Sequence, residues 1–172
     1  MNVLNQPALG MPRTPMITML DALALLAILA TFVLAVRGWQ ILPERVPHHF
    51  SWRGVPDAWG GRWVLFLLPT FGAVMFIGLS ILGRFPHRFN YLQPITAENV
   101  HRQYSSALSL LAWLRLEIAA LFLYVEWHFY KGALDKTLRL SAWFLPVVLT
   151  VVLGTIAAHI VIGMVETSAT RG

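Results

Sequence analysis

Hydrophobic residues in this chain gather into four long blocks with short polar stretches between them. The cleanest, residues 64–82, is a charge-free run of 19. A helix rising 1.5 Å per residue needs about 20 residues to cross a hydrocarbon core of roughly 30 Å. The other blocks carry polar interruptions. The first, about 16–39, holds Asp21 near its start. The third, about 104–129, holds Arg115, Glu117 and Glu126, and the fourth, about 141–165, holds His159. This pattern predicts an all-α, integral membrane four-helix bundle over residues 16–165. The predicted spans are 16–39, 64–83, 104–129 and 141–165, with an ordered loop cap over 40–63 joining the first two helices. Residues 1–15, with Pro7, Gly10, Pro12 and Pro15, read as a flexible N-terminal tail, and residues 166–172 as a C-terminal tail.

Composition agrees with the pattern. Of 172 residues, 57% are hydrophobic and 12% charged, against about 25% charged in soluble domains. So apolar a chain cannot cover a water-facing surface, and the lipid bilayer is its first expected partner. The first block is longer than the apolar core of a secretory signal, lacks a compact basic start, and is followed by no small-residue cleavage site. It is therefore expected to be retained as a helix. The net charge of +5 comes from loop Arg and Lys and suits anionic headgroups; no basic tail or nucleic-acid pattern accompanies it. With four spans, five basic residues fall on the side of the termini and seven on the other. That balance gives no orientation by the positive-inside rule. Absence of cysteine removes disulfides, thiolate metal sites and Cys nucleophiles.

Charges at bilayer depth cost on the order of 3 kcal/mol each on insertion scales, so those that persist face the bundle interior and find partners. At 100° per residue, Ser106, Trp113, Glu117, Tyr124 and His128 share one stripe of the third span, while Arg115, Phe122 and Glu126 share another about 160° away. A helix polar on opposite sides belongs in the centre of the bundle, touching at least two neighbours. Glu126 is three turns from Arg115, so Arg115 needs a carboxylate from another helix, and Asp21 is the natural candidate. His159 shares a stripe with Thr155. It reads either as a histidine hydrogen-bonded across a helix contact or as a proton acceptor or ligand. Gly72 and Gly154 supply small surfaces where helices can approach closely.

The cap is dense in Pro, Gly, His and Trp, where a plain connector would be short and polar. His48, His49 and Asp57 form its one cluster of metal-ligand type. Adjacent histidines in an extended segment point to opposite sides, so at most one faces Asp57 without a bend, and a hydrogen-bonded His49–Asp57 pair is the favoured reading over zinc. No nucleophile elbow is present, and Ser105, Ser106 and Ser109 have no histidine near them in sequence except His101. Neither a catalytic residue, a metal nor a cofactor is expected. In the second loop, Thr96 is expected to cap a short interfacial helix leading into the third span.

Read as Leu42-Pro43, Val46-Pro47, His49-Phe50, Gly54, Pro56-Asp57 and Trp59-Gly60, the cap resembles the signature loop of a group of bacterial membrane proteins. Their shared domain has no assigned function and forms the N-terminal half of SdpI-type proteins. The resemblance spans roughly residues 20–85. A basic residue commonly follows the Trp-Gly in that group, a place that Arg62 can fill, whereas Ser51 stands where the group often has Asn or Asp. The resemblance implies a multi-pass protein of the bacterial cytoplasmic membrane, non-catalytic, that senses or resists a membrane-active peptide or envelope stress. His49, Phe50, Gly54, Pro56, Asp57 and Trp59 are then the candidate surface for a peptide or protein partner at residues 42–60. SdpI-type proteins have a distinct C-terminal half that residues 104–165 do not resemble. The intramembrane set Asp21, Arg115, Glu117, Glu126 and His159 supports an alternative, a small transporter or proton-coupled permease subunit, and a membrane metalloenzyme is a third reading. A polar path across the bundle would favour transport, and singly paired charges would count against it.

Overall fold

The computed structural model describes residues 9–51, 54–135, 141 and 143–168. Helix α1 (Pro15–Ile41) starts where Thr14 Oγ1 accepts the Ile17 N–H at 3.2 Å and Pro15 takes the first helical position. Its buried residues recur at helical spacing and are mostly small: Ala24, Ala27, Thr31, Ala35 and Gly38. The stripe lets other helices approach closely, while Leu23, Leu26, Leu29 and Val33 on the outside suit lipid.

After α1 the chain forms strands β1 (Arg45–Phe50) and β2 (Pro56–Gly61), a 3-10 segment (Arg62–Phe66) and helix α2 (Leu67–Leu82). Pro69 sits in the first turn of α2, where its missing donor costs least. A loop with a 3-10 turn at Pro86–Arg88 leads to helix α3 (Val100–Asp135), and α4 (Phe144–Ser168) closes the described chain. With the 3-10 segment counted into the second (Arg62–Leu82), four helical stretches are long and apolar enough to cross a membrane.

α3 is central, as its two polar faces require, and packs on α1, α2 and α4. Two core clusters lie between it and the first helix. Ile17, Leu20 and Ala112 form one, and Ala24, Ala27, Ile28 and Ala119 the other. Gly72 brings α2 close: a Cβ there would lie 3.3 Å from the Phe122 ring and 3.6 Å from Ile28. The same expectation fails for Gly154, which meets nothing within 4 Å. Among the described residues α4 packs chiefly on α3, and Gly154 lies away from that contact, so a small residue there has no helix to admit.

Two further expectations need correction. The cap is a β-hairpin, so the chain is mostly helical with a two-stranded sheet and is not all-α. And no separate interfacial helix precedes α3. The Asn99 side chain accepts the Thr96 N–H at 2.8 Å, and Val100 N–H bonds Thr96 O at 3.0 Å, so one turn at 96–99 runs straight into α3. Asn99 thus makes the reach-back bond that Glu makes in a capping box.

Candidate functional site

The hairpin hangs on the end of the bundle by its first strand. Val46 and Leu42 are buried with Ala35, Val64 and Leu65. Arg62 Nη1 donates to Trp39 O at 2.8 Å, tying the hairpin's exit to one of the unpaired carbonyls at the end of α1. β1 and β2 pair antiparallel, Arg45 opposite Gly61 and Pro47 opposite Trp59, with the register interrupted around His48. In a two-stranded ribbon each strand is an edge, so Pro47 and Pro56 break no interior ladder.

The turn is pinned by Ser51. Its hydroxyl donates to Val55 O at 3.1 Å and accepts the Val55 N–H at 3.3 Å, and Ser51 N–H bonds Val55 O at 2.8 Å. Gly54 completes it at φ 71°, a conformation side-chain-bearing residues seldom adopt. Ser51 therefore does the local backbone bonding that an Asn or Asp offers at such a turn.

The irregularity at His48 separates the two histidines. His49 Nδ1 lies 2.5 Å from Asp57 Oδ1 on the exposed side. His48 turns the other way, its ring 3.1 Å from where a Cβ on Gly60 would stand, and lines a small cavity beneath the hairpin. Exposed and half-buried residues alternate along β2, so Asp57 and Trp59 project together, and Trp59 is 53% exposed. Pro56 is half-buried and Gly54 buried. Phe50 pairs through its backbone with Pro56, and its side chain lies outside the described residues. Among the described residues no three His, Cys, Asp or Glu side chains come together as metal ligands.

Inside the bundle, Arg115 Nε and Nη2 donate to Asp21 Oδ1 at 2.8 and 2.6 Å, while Asp21 Oδ2 faces Arg13 at 3.7 Å. Asp21 is 9% and Arg115 6% exposed, and the guanidinium also lies over the Phe76 ring. On the opposite face of α3, Thr155 Oγ1 donates to Glu117 Oε1 at 2.5 Å, and Glu117 Oε2 is buried with no hydrogen-bond partner among the described residues. His159 Nδ1 donates to Thr155 O at 2.9 Å, which fixes its tautomer, and Nε2 faces Ser109 Oγ at 3.4 Å. The serine that has no histidine near it in sequence thus has one in space, brought by the α3–α4 contact. The pair lacks the carboxylate that orients the imidazole in hydrolytic triads, because Nδ1 is committed to a backbone carbonyl. Sequence reasoning misses the pair because the two residues are 50 positions apart.

Glu126 stands alone. It is 2% exposed, lines the cavity beneath the hairpin, and no described residue hydrogen-bonds its carboxylate. Ala119, Phe122 and Leu123 separate it from Arg115 along α3, and Ala119 belongs to the apolar core. Outside the membrane spans, Tyr91 donates to Pro86 O at 2.9 Å and stacks on Tyr104 with centroids 5.6 Å apart. Burial, helped by the Tyr104 phenol, holds the Tyr91 phenol above the usual tyrosine value.

These features define a multi-pass helical membrane protein with a folded hairpin on one end of its bundle. A family model described as a domain of unknown function (DUF1648) matches residues 26–73, which take in the second half of α1, the hairpin and the start of α2. No curated protein and no solved structure matches the chain.

Proposed function

We propose that the protein is a non-catalytic receptor or resistance protein of a bacterial cytoplasmic membrane, whose hairpin takes a membrane-active peptide or a protein partner, in the manner of the SdpI-type group that the cap resembles. The observation that carries the reading is the division of labour in the hairpin. Leu42, Val46 and Arg62 anchor it to the bundle, leaving His49, Asp57 and Trp59 outward with no contact to the bundle among the described residues. Trp59 can serve as a headgroup-depth anchor like Trp39 and Trp63, but its place beside the ionisable His49–Asp57 pair on the same face suits recognition better.

The alternative, a small transporter, is favoured less. Arg115 is paired with Asp21, Glu117 bonds Thr155, and apolar side chains lie between Arg115 and Glu126 on the face they share. To test the proposal, the protein in lipid nanodiscs is titrated with a panel of cationic membrane-active peptides while tryptophan emission is followed. A saturable change with at least one peptide, lost in Trp59→Ala, is expected. A response of the same size in parent and Trp59→Ala, or none with any peptide, contradicts it.

A further inference from the structure

The geometry points to a binding site for a primary ammonium group in the cavity beneath the hairpin, with Glu126 as its counter-charge. The site lies under the hairpin, opposite the outward face of His49, Asp57 and Trp59, and does not depend on that face.

A carboxylate this deeply buried is costly unless a charge and hydrogen-bond donors meet it. None does among the described residues: β1 contributes His48, the 3-10 segment and α2 contribute Val64, Leu65 and Leu68, and no cationic side chain lines the cavity. With no partner among the described residues, an entering cation is the partner we assign, and the cavity says which kind. Its volume is about 80 Å³, against roughly 10–15 Å³ of such space for one water, so an ammonium and a few methylene groups fit. The walls other than Glu126 and His48 are apolar, as alkyl carbons require. An ammonium offers three N–H donors, which suits a carboxylate with no donor of its own. A trimethylated ammonium is bulkier and is recognised by aromatic cages, whereas among the described residues Phe129 is the one phenyl ring lining this cavity. A divalent metal would find two ligand side chains here, Glu126 and His48. Primary ammonium at this depth has two sources, an aminophospholipid headgroup and a lysine side chain.

The test uses the full chain in nanodiscs of phosphatidylcholine alone and of phosphatidylcholine with phosphatidylethanolamine, with n-butylammonium as the soluble probe and the thermal unfolding midpoint as the readout. In phosphatidylcholine, butylammonium is expected to raise the midpoint of the parent by a few degrees, since a ligand that binds only the folded state stabilises it. Butyltrimethylammonium is expected to do so at least tenfold less effectively. The Glu126→Gln variant is expected to lose the response. If phosphatidylethanolamine raises the midpoint and abolishes the butylammonium effect, the lipid headgroup occupies the site. If butylammonium still acts, the site is open to a soluble amine of the lysine kind. An equal response in Glu126→Gln, equal potency of the trimethylated probe, or no response to either amine source overturns the assignment. The size comparison needs the parent alone, so it decides even if the variant does not fold. The outward face of the hairpin can fail its own peptide test while this site passes, and the reverse.

Discussion

Arg115 and Asp21 show how a buried charge is kept. Two guanidinium nitrogens converge on one carboxylate oxygen, at 2.8 and 2.6 Å, and neither residue has water to fall back on. Removing Arg115 leaves Asp21 with the exposed Arg13 at 3.7 Å in place of two close donors, so the cost falls toward the low end of the about 3–5 kcal/mol that breaking a buried pair carries. Arg115→Ala is therefore expected to lower unfolding stability in mild detergent by that amount and to reduce accumulation in the membrane. The double replacement Asp21→Leu with Arg115→Met should recover most of the loss, because it removes both charges together; a double variant as unstable as the single one would refute the pairing. Tyr91 makes a separate, pH-dependent claim. Its folded-state value lies above the unfolded one, near 10, so above pH 10 the unfolded chain releases this proton more readily than the folded one. Stability is then constant below that pH and falls as pH rises past it. Tyr91→Phe should flatten that fall in an alkaline unfolding series.

At the scale of elements, α4 is the least secured. Among the described residues it packs chiefly on α3, and the Thr155–Glu117–His159–Ser109 set ties it there. Thr155→Val removes a donor from a carboxylate that already has one orphan oxygen, a loss of about 1.5–3 kcal/mol. Hydrogen exchange in α4 should accelerate in this variant while that of α1 stays as in the parent; uniform acceleration would mean that α4 is not an independent unit. The four helices were legible in the sequence because apolar length alone reports a span. The pairing of Asp21 with Arg115 was legible because helical periodicity put Arg115 and Glu126 on one face, too far apart to meet. The hairpin was not, because Pro43, Pro47 and Pro56 mask strand character and a two-stranded ribbon lacks the ladder constraints that make strands readable. The His159–Ser109 contact was not either, since the Thr155–His159 stripe of an otherwise apolar helix does not say which neighbour it meets.

The whole molecule joins two designs. A bundle with paired interior charges supports a hairpin that faces away from it, and the matched family domain, residues 26–73, centres on that hairpin. Glu126 lies where the two meet. On the proposed function, interior charges set stability and the outward face sets recognition, so the two are separable by mutation. The most direct measurement is survival of a bacterial host deleted for this gene, under a panel of membrane-active peptides, with the parent or with His49→Ala/Asp57→Ala/Trp59→Ala supplied. The account predicts that the variant accumulates and melts like the parent yet loses protection against at least one peptide. A variant that protects as well as the parent against every peptide that the parent resists would contradict it.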